Sequence, residues 1–270
     1  MSSVECADYL KNKMFNRILI VYSEKITGKH LETVEKVRNL IPNSSVVKAS
    51  ELNESYFSDL DLIITIGGDG TFIRAAHFIK EAFILGINSE PENSEGALKS
   101  LKENEIEKLK EILNGKYSIL ERDRMQISID GKSISYPILN EVYFGAEHQF
   151  HTSRYVLEFN GEKEEQRSSG VLISTGSGST AWYKSAGGTP FQADSKKLKF
   201  LVREPYSGKI FKPKIMHGEI HENQKIKIIS KKHAEQIFAI DSNLIFPFNF
   251  NSIAEVSISK FPLKVLEVDK

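Results

Sequence analysis

The chain has 270 residues, with 36 Lys plus Arg against 36 Asp plus Glu, 40% hydrophobic residues and a single cysteine. Single cores stop growing at about 250 to 300 residues, so this length fits one large domain or two moderate ones. Zero formal charge excludes a chain-wide polybasic footprint for nucleic acid, and the lone Cys6 excludes both an intramolecular disulfide and a cysteine zinc site. The N-terminal stretch carries Glu5 and Asp8 and lacks the apolar core of a signal peptide, and no apolar run approaches the ~20 residues that cross a bilayer. The expectation is a cytoplasmic protein with no nucleic-acid and no membrane partner.

The first hundred residues alternate short apolar runs with helical patterns. Arg17 to Ser23 reads as a buried strand, and His30 to Ile41 places Leu31, Val34, Val37, Leu40 and Ile41 on one helical face. Ser45 to Lys48, Asp61 to Ile66 and Ala82 to Ile87 supply further strands, with a helix over Thr71 to Lys80 between the last two. Strand, helix, strand at this spacing predicts a parallel sheet covered by helices. Residues 88 to 98 are polar and carry Pro and Gly, as an exposed loop does. Asn104 to Leu113 is a short amphipathic helix whose five charged residues read as a solvated face.

Beyond Glu121 the pattern becomes β-rich. Arg124 to Asp130, Ser133 to Tyr143, Arg154 to Asn160, Val171 to Ser174, Lys197 to Val202, Lys225 to Ser230, Gln236 to Ile240 and Ala254 to Ser259 read as short strands, linked by turns such as Asp130-Gly131 and Asn160-Gly161. The predicted fold is an α/β N-terminal domain over 1–121, with a parallel Rossmann-like sheet, followed by an all-β C-terminal domain of the β-sandwich type.

Three segments carry chemistry. Gly67-Gly68-Asp69-Gly70-Thr71 follows an apolar strand and opens a helix. Glycines there let backbone amides approach a phosphate, and the helix N-terminus adds partial positive charge. Asp69 would repel a phosphate, so it either holds a metal that bridges phosphates or takes a proton from an attacking hydroxyl. The alternative is a tight turn with Asp69 as the helix N-cap. Asn140-Glu141 lies in an otherwise apolar strand; Asn offers donor and acceptor, and Glu accepts from a ribose-type diol, although the pair also suits a plain strand end. Ser174 to Gly188 runs from a buried strand into a loop of hydroxyls and glycines and then Trp182, the chain's one tryptophan. Such a loop suits a nucleotide, with Trp182 available to an adenine ring; a flexible Ser/Gly turn is the alternative.

No G-x-x-x-x-G-K-[ST] loop, G-x-G-x-x-G fingerprint or H-R-D loop is present. His148 with His151 and His217 with His221 lack carboxylate or Cys partners at set spacing, so no metal site is assigned.

In this order the segments resemble the NAD kinase family: the strand Ile18 to Tyr22, the Gly67 to Thr71 loop, Ile84 to Asn88, Arg122 to Met125, Asn140-Glu141, Ser174 to Gly188, and Asp241, where the family usually has Asp-Gly. The resemblance implies an N-terminal α/β domain rejoined by a C-terminal segment, 250–270, and a β-rich NAD-binding domain over 122–249. It implies transfer of a phosphoryl group from ATP, with Mg²⁺, or from polyphosphate, to the 2′-hydroxyl of the adenosine ribose of NAD. Asp69 would be the base; Gly67, Gly68, Gly70, Thr71 and Arg74 would hold phosphates; Asn140, Glu141, Arg167, Ser169, Ser177, Thr180, Ala181, Trp182, Ser185 and Asp241 would contact NAD. Relatives usually form dimers or tetramers, so a homodimer or homotetramer is implied.

Two departures stand out. Ser169-Gly170 replaces a family Asp-Gly whose carboxylate lies on the nicotinamide side, so some use of NADH is expected because an attraction for the cationic ring is gone. Ser242 replaces the usual Gly after Asp241, and the sequence offers no account of it. The alternatives are a lipid kinase of the diacylglycerol or sphingosine type, which shares the glycine-rich loop, and a non-catalytic dinucleotide sensor.

Overall fold

The computed structural model describes residues 15–24, 27–93, 95–148, 150–209 and 211–268. Cys6, Glu5 and Asp8 lie outside these. The chain divides into two compact units, Met1–Glu121 with Leu263–Lys270, and Arg122–Pro262. Ile253–Ile258 belongs to the second unit, so the return to the first begins at Leu263 rather than at residue 250.

The first unit is built on β1 (Ile18–Tyr22), α1 (Gly28–Leu40), β2 (Ser45–Lys48), β3 (Leu62–Ile66), α2 (Asp69–Ala76), β4 (Phe83–Asn88), β5 (Leu101–Lys102), α3 (Leu109–Leu113) and β6 (Ser118–Arg122). The strand Leu263–Glu267 (β19) completes its sheet, in the order β2-β1-β3-β4-β19-β6 with β5 beside β4. β1, β3 and β4 pair in parallel, and every residue of β3 and β4 is buried. Continuous apolar runs are what parallel strands covered on both faces require. The order reverses between β1 and β3, and in open α/β sheets ligands bind outside the carboxyl ends of strands at such a point.

Helix α2 starts two residues earlier than the sequence predicts and stops at Ala76. The helix predicted over Asn104 to Leu113 is a 3₁₀ segment, Glu103–Lys108, followed by α3, and its apolar face of Ile106, Leu109 and Ile112 is buried as the pattern requires.

The second unit holds β7 (Met125–Ile129), β8 (Lys132–Ser133), β9 (Glu141–Ala146), β10 (Ser153–Phe159), β11 (Glu162–Ser168), β12 (Gly170–Ser174), α4 (Trp182–Ser185), β13 (Lys197–Arg203), β14 (His217–His221), β15 (Ile226–Ser230), β16 (Gln236–Ile240), β17 (Leu244–Pro247) and β18 (Ile253–Ile258). They form two six-stranded sheets, β11-β10-β15-β18-β7-β8 and β14-β13-β12-β9-β16-β17, with antiparallel pairing throughout. Alternate residues of both sheets meet in one core, where Tyr155, Leu157 and Val256 of one pack with Phe144, Phe200 and Phe238 of the other. This is a β-sandwich.

The strand predicted over Ser133 to Tyr143 is interrupted: residues 134–140 are irregular apart from a bridge of Ile138 to Met125. Pro137 in that stretch has no N–H for a ladder. Residues Asn140 and Glu141 therefore sit where irregular backbone becomes strand. Among the described residues no helix is long and apolar enough to cross a membrane.

Candidate active site

In the first unit, the Gly67-Gly68 loop leaves the carboxyl end of β3 beside Ser23, which follows β1: Ser23 N–H donates to Ile66 O at 3.1 Å. Gly67 has φ 142°, and a Cβ there would come within 2.9 Å of Thr71 Oγ1 and 3.1 Å of Ser23, so only glycine fits. Gly68, not Asp69, is the N-cap of α2; Asp69 is the first helical residue. The N-cap reading of Asp69 is therefore corrected. Its carboxylate reaches across to the segment before β5, where Oδ2 accepts the Ala97 amide and Oδ1 the Leu98 amide, both at 3.1 Å. Each carboxylate oxygen has about two lone-pair sites, so one remains on each to receive a proton.

Gly70 is exposed and Thr71 buried at the first turn of α2, and Arg74 lies one turn on, half-buried, its charge helping to hold the Glu24 carboxyl below its usual range behind hydrogen bonds from Ser50. Lys99 is a further member that sequence reading missed. Its Nζ donates to Thr65 Oγ1 at 3.3 Å and stands 5.0 Å from the Phe72 ring. Burial pushes this ammonium down to about 7, with the Asp69 carboxylate pulling the other way. Nothing in the sequence distinguishes it from the other lysines.

In the second unit, β9 is central in its sheet, and by strand alternation Glu141 and Tyr143 share the face opposite Val142 and Phe144, which enter the core. Asp241 holds the start of β9. Its carboxylate accepts the amides of Leu139 at 3.2 Å, Asn140 at 2.8 Å and Glu141 at 3.1 Å, and its own amide donates to Glu141 O at 2.9 Å. Asp241 thus acts on Asn140 and Glu141 through their main chain. Glu141 is 3% exposed. Burial, then the Asp241 charge, raises its carboxyl to about 7 against a stabilising hydrogen bond from Ser242 Oγ at 3.0 Å. Glu141 Oε2 and Asn140 Oδ1 are buried without a hydrogen-bonding partner. Buried polar atoms left this way fit a ligand-binding position.

The hydroxyl-rich loop is built against the same main chain. Thr175 N–H donates to Asn140 O at 2.9 Å, Thr175 Oγ1 donates to Leu139 O at 2.5 Å, and a Cβ on Gly178 would fall 2.3 Å from Asn140 O. Gly178 is there so that two backbones can touch. Ser177 is buried and accepts Arg122 Nη1 at 3.3 Å, whereas Thr180, Ala181 and Ser185 are exposed. This is an ordered loop, not a flexible linker.

Trp182 and Ser169 meet a different part of the sheet. Tyr143 Oη donates to Ser169 O at 2.5 Å, and its ring lies 5.3 Å from that of Trp182, over which Arg203 stands at 5.2 Å. Arg203 is itself paired with Glu204 at 3.2 Å. Arg167 is placed on β11 of the other sheet, 5.3 Å from the Phe211 ring and 3.9 Å from Glu165. The structure groups Asn140, Glu141, Ser177 and Asp241, sets Ser169 with Trp182, and gives Arg167 contacts to Phe211 and Glu165. Tyr143 and Ser242 are the additions.

A glycine loop at a strand's carboxyl end that presents a carboxylate, in an α/β unit, and a β-sandwich with unpartnered buried oxygens at Asn140 and Glu141 are the features of a two-domain nucleotide-binding protein. Comparison with known proteins makes this specific. Residues 2–117 match the ATP-NAD kinase N-terminal domain and residues 139–268 the ATP-NAD kinase C-terminal domain. The chain belongs to the NAD kinase family, and it is a kinase. It is 25% identical to a probable NADH kinase of Oryza sativa subsp. japonica over 94% of this chain and 86% of that one. In fold it is similar to an NAD kinase from Archaeoglobus fulgidus in complex with ATP, with TM-score 0.74, 22% identity and 93% of each chain covered. It is likewise similar to yeast NADH kinase complexed with NADH, with TM-score 0.78, 15% identity, and 94% of this chain and 84% of that one covered.

Proposed function

We propose that this NAD kinase transfers the γ-phosphoryl of ATP, as its magnesium complex, to the 2′-hydroxyl of the adenosine ribose of NAD, and that it accepts NADH as well as NAD⁺. The observation that carries the reading is Asp69: a carboxylate at the first turn of α2, held by two amides at 3.1 Å, with lone pairs left to take the hydroxyl proton. Gly67, Gly68, Gly70 and Thr71 offer amides and a helix N-terminus to phosphates, and Arg74 adds charge one turn on. Asn140 and Glu141 hold the adenosine part, with Asp241 fixing their backbone and Ser177, Thr180, Ala181 and Ser185 lining the adjoining loop.

Phosphoryl transfer asks of a protein mainly positioning and charge stabilisation. Mg²⁺ belongs to the donor substrate, where it neutralises phosphate charge. Matches to both NAD kinase domain families favour this acceptor over a lipid and turnover over a sensor.

The NADH part rests on Ser169 and on the resemblance to the rice relative. Ser169 places no carboxylate beside Tyr143 and Trp182, and the Arg203 charge there is matched by Glu204, so attraction for a cationic nicotinamide is missing without repulsion replacing it. Incubating the purified protein with Mg-ATP and either NAD⁺ or NADH, with NADP(H) detected by a coupled dehydrogenase, tests the whole reading. Ser169→Asp is expected to shift the kcat/KM ratio toward NAD⁺; an unchanged ratio removes Ser169 from discrimination. Light scattering tests the expected homodimer or homotetramer.

A further inference from the structure

Ser242 stands in the turn Ile240-Asp241-Ser242-Asn243 between β16 and β17, where Asn243 N–H donates to Ile240 O at 3.0 Å. Asp241 has φ 48° and Ser242 φ 54°, both left-handed as the central residues of a type I′ turn are. Glycine is the unstrained residue at the second of these places, and a serine there is disfavoured by its own Cβ. A backbone disadvantage needs a side-chain reason, and the contact made by the hydroxyl supplies one.

Ser242 Oγ donates to Glu141 Oε1 at 3.0 Å. The carboxyl it meets is buried, its other oxygen has no partner, and the neighbouring Asn140 Oδ1 has none either. Asp241 is the charged group acting on Glu141, and its own oxygens are turned to the amides of residues 139–141. We propose that Ser242 is a positioning residue for the acceptor dinucleotide: by fixing Oε1 it orients the Glu141 carboxyl so that Oε2 is the oxygen offered to a ligand hydroxyl. This rests on the reading of Asn140 and Glu141 as holders of NAD. The same bond favours the ionised carboxylate against burial and against Asp241, which together push it up to about 7. An ionised Glu141 accepts hydroxyl protons on either oxygen, whereas a protonated one loses an acceptor site.

The test is steady-state kinetics with Mg-ATP and the dinucleotide, between about pH 5.5 and 8.5, on the wild type, Ser242→Gly, Ser242→Asn and Glu141→Gln, with Tm measured beside it. Ser242→Gly is expected to raise KM for the dinucleotide about tenfold, the scale of one hydrogen bond to a charged group, with the change falling on KM rather than kcat. The rise of KM on acidification should begin at higher pH than in the wild type, because the lost donor lets the Glu141 carboxyl rise further. Tm should hold or increase, since glycine relieves the turn. Ser242→Asn, which tolerates the left-handed region and carries an amide donor, should keep KM near the wild-type value. Unchanged KM and pH profile in Ser242→Gly, with KM raised in Glu141→Gln, overturns the Ser242 proposal alone. Unchanged KM in both variants overturns the placement of NAD on Glu141 as well.

Discussion

Asp69 and Glu141 are both acidic, yet their surroundings set them different tasks. The Asp69 oxygens are steadied by the amides of Ala97 and Leu98 and retain free lone pairs, the condition for a positioned base. Asp69→Asn keeps the shape and removes the basicity, so kcat should fall at least about 100-fold with modest change in dinucleotide binding. A variant with near-normal turnover would take Asp69 out of that role. Glu141 is buried near Asp241, and its carboxyl is raised from 4.5 to about 7. A raised folded-state value means that the native protein binds the extra proton between those two pH values, so this residue's contribution to stability falls as pH climbs through them. Above neutral pH the cost is on the order of 3 kcal/mol. Glu141→Gln should therefore raise Tm at pH 8, with the gain shrinking toward pH 4.5, while weakening dinucleotide binding; a Tm gain that does not depend on pH would contradict this account. Asp69 stood out in the sequence as a carboxylate among glycines after an apolar strand. Lys99 and Ser242 did not, because what distinguishes them is where a side chain ends, at Thr65 in one case and at Glu141 in the other.

At the scale of elements, the informative segments are those where two backbones touch. The loop after β12 lies against residues 139 and 140, and Gly178 permits the contact. Gly178→Ala would press a methyl to 2.3 Å from Asn140 O, a backbone atom that cannot turn aside. The expected outcome is a loss of about 1 to 3 kcal/mol in denaturant unfolding together with a raised KM for the dinucleotide, as overpacking costs. Gly28→Ala, with open space at the start of α1, is the control and should be near neutral in both measurements. Arg124 ties another pair of segments: fully buried, it donates Nε to Phe261 O at 2.8 Å and Nη2 to Pro262 O at 3.4 Å. In the first unit β1, β3 and β4 were legible because each is an apolar run, whereas β5, β6 and β19 are short or carry charged residues and were not. β11 was not, since Glu162, Lys163, Glu164, Glu165 and Arg167 conceal it; the Asn160-Gly161 turn, with both φ positive, makes it by folding the chain back on β10. β14 and β17 escaped for a similar reason, each being a short strand on an outer edge of its sheet.

Across the whole molecule, the balance of 36 basic against 36 acidic residues conceals a segment, 196–232, with eleven basic groups and three acidic ones. Much of that excess is matched by carboxylates from elsewhere in the chain: Lys196 by Asp123, Lys225 by Glu255, Lys227 by Glu158 and Glu255, and Lys232 by Glu235. Within the segment, Lys197 and Lys199 share Glu219. These contacts reduce the local field that the sequence suggests for polyphosphate ligands. Sequence order conceals a second thing. β19 lies between β4 and β6, pairing Lys264 with Phe83 and Val265 with Ile84, and Leu263, Val265 and Leu266 are buried there. A chain stopped after Pro262 should leave that edge of β4 open and sediment as aggregate at concentrations where the full chain stays monodisperse. A monodisperse truncated chain would show that the strand is dispensable. For the cell this is a matter of timing: the strand that closes the first sheet is made only after all of Arg122–Pro262. At about 5 to 20 residues per second the ribosome needs on the order of ten seconds for that stretch, during which the Phe83–Ile84 edge waits unpaired and chaperones have their opportunity.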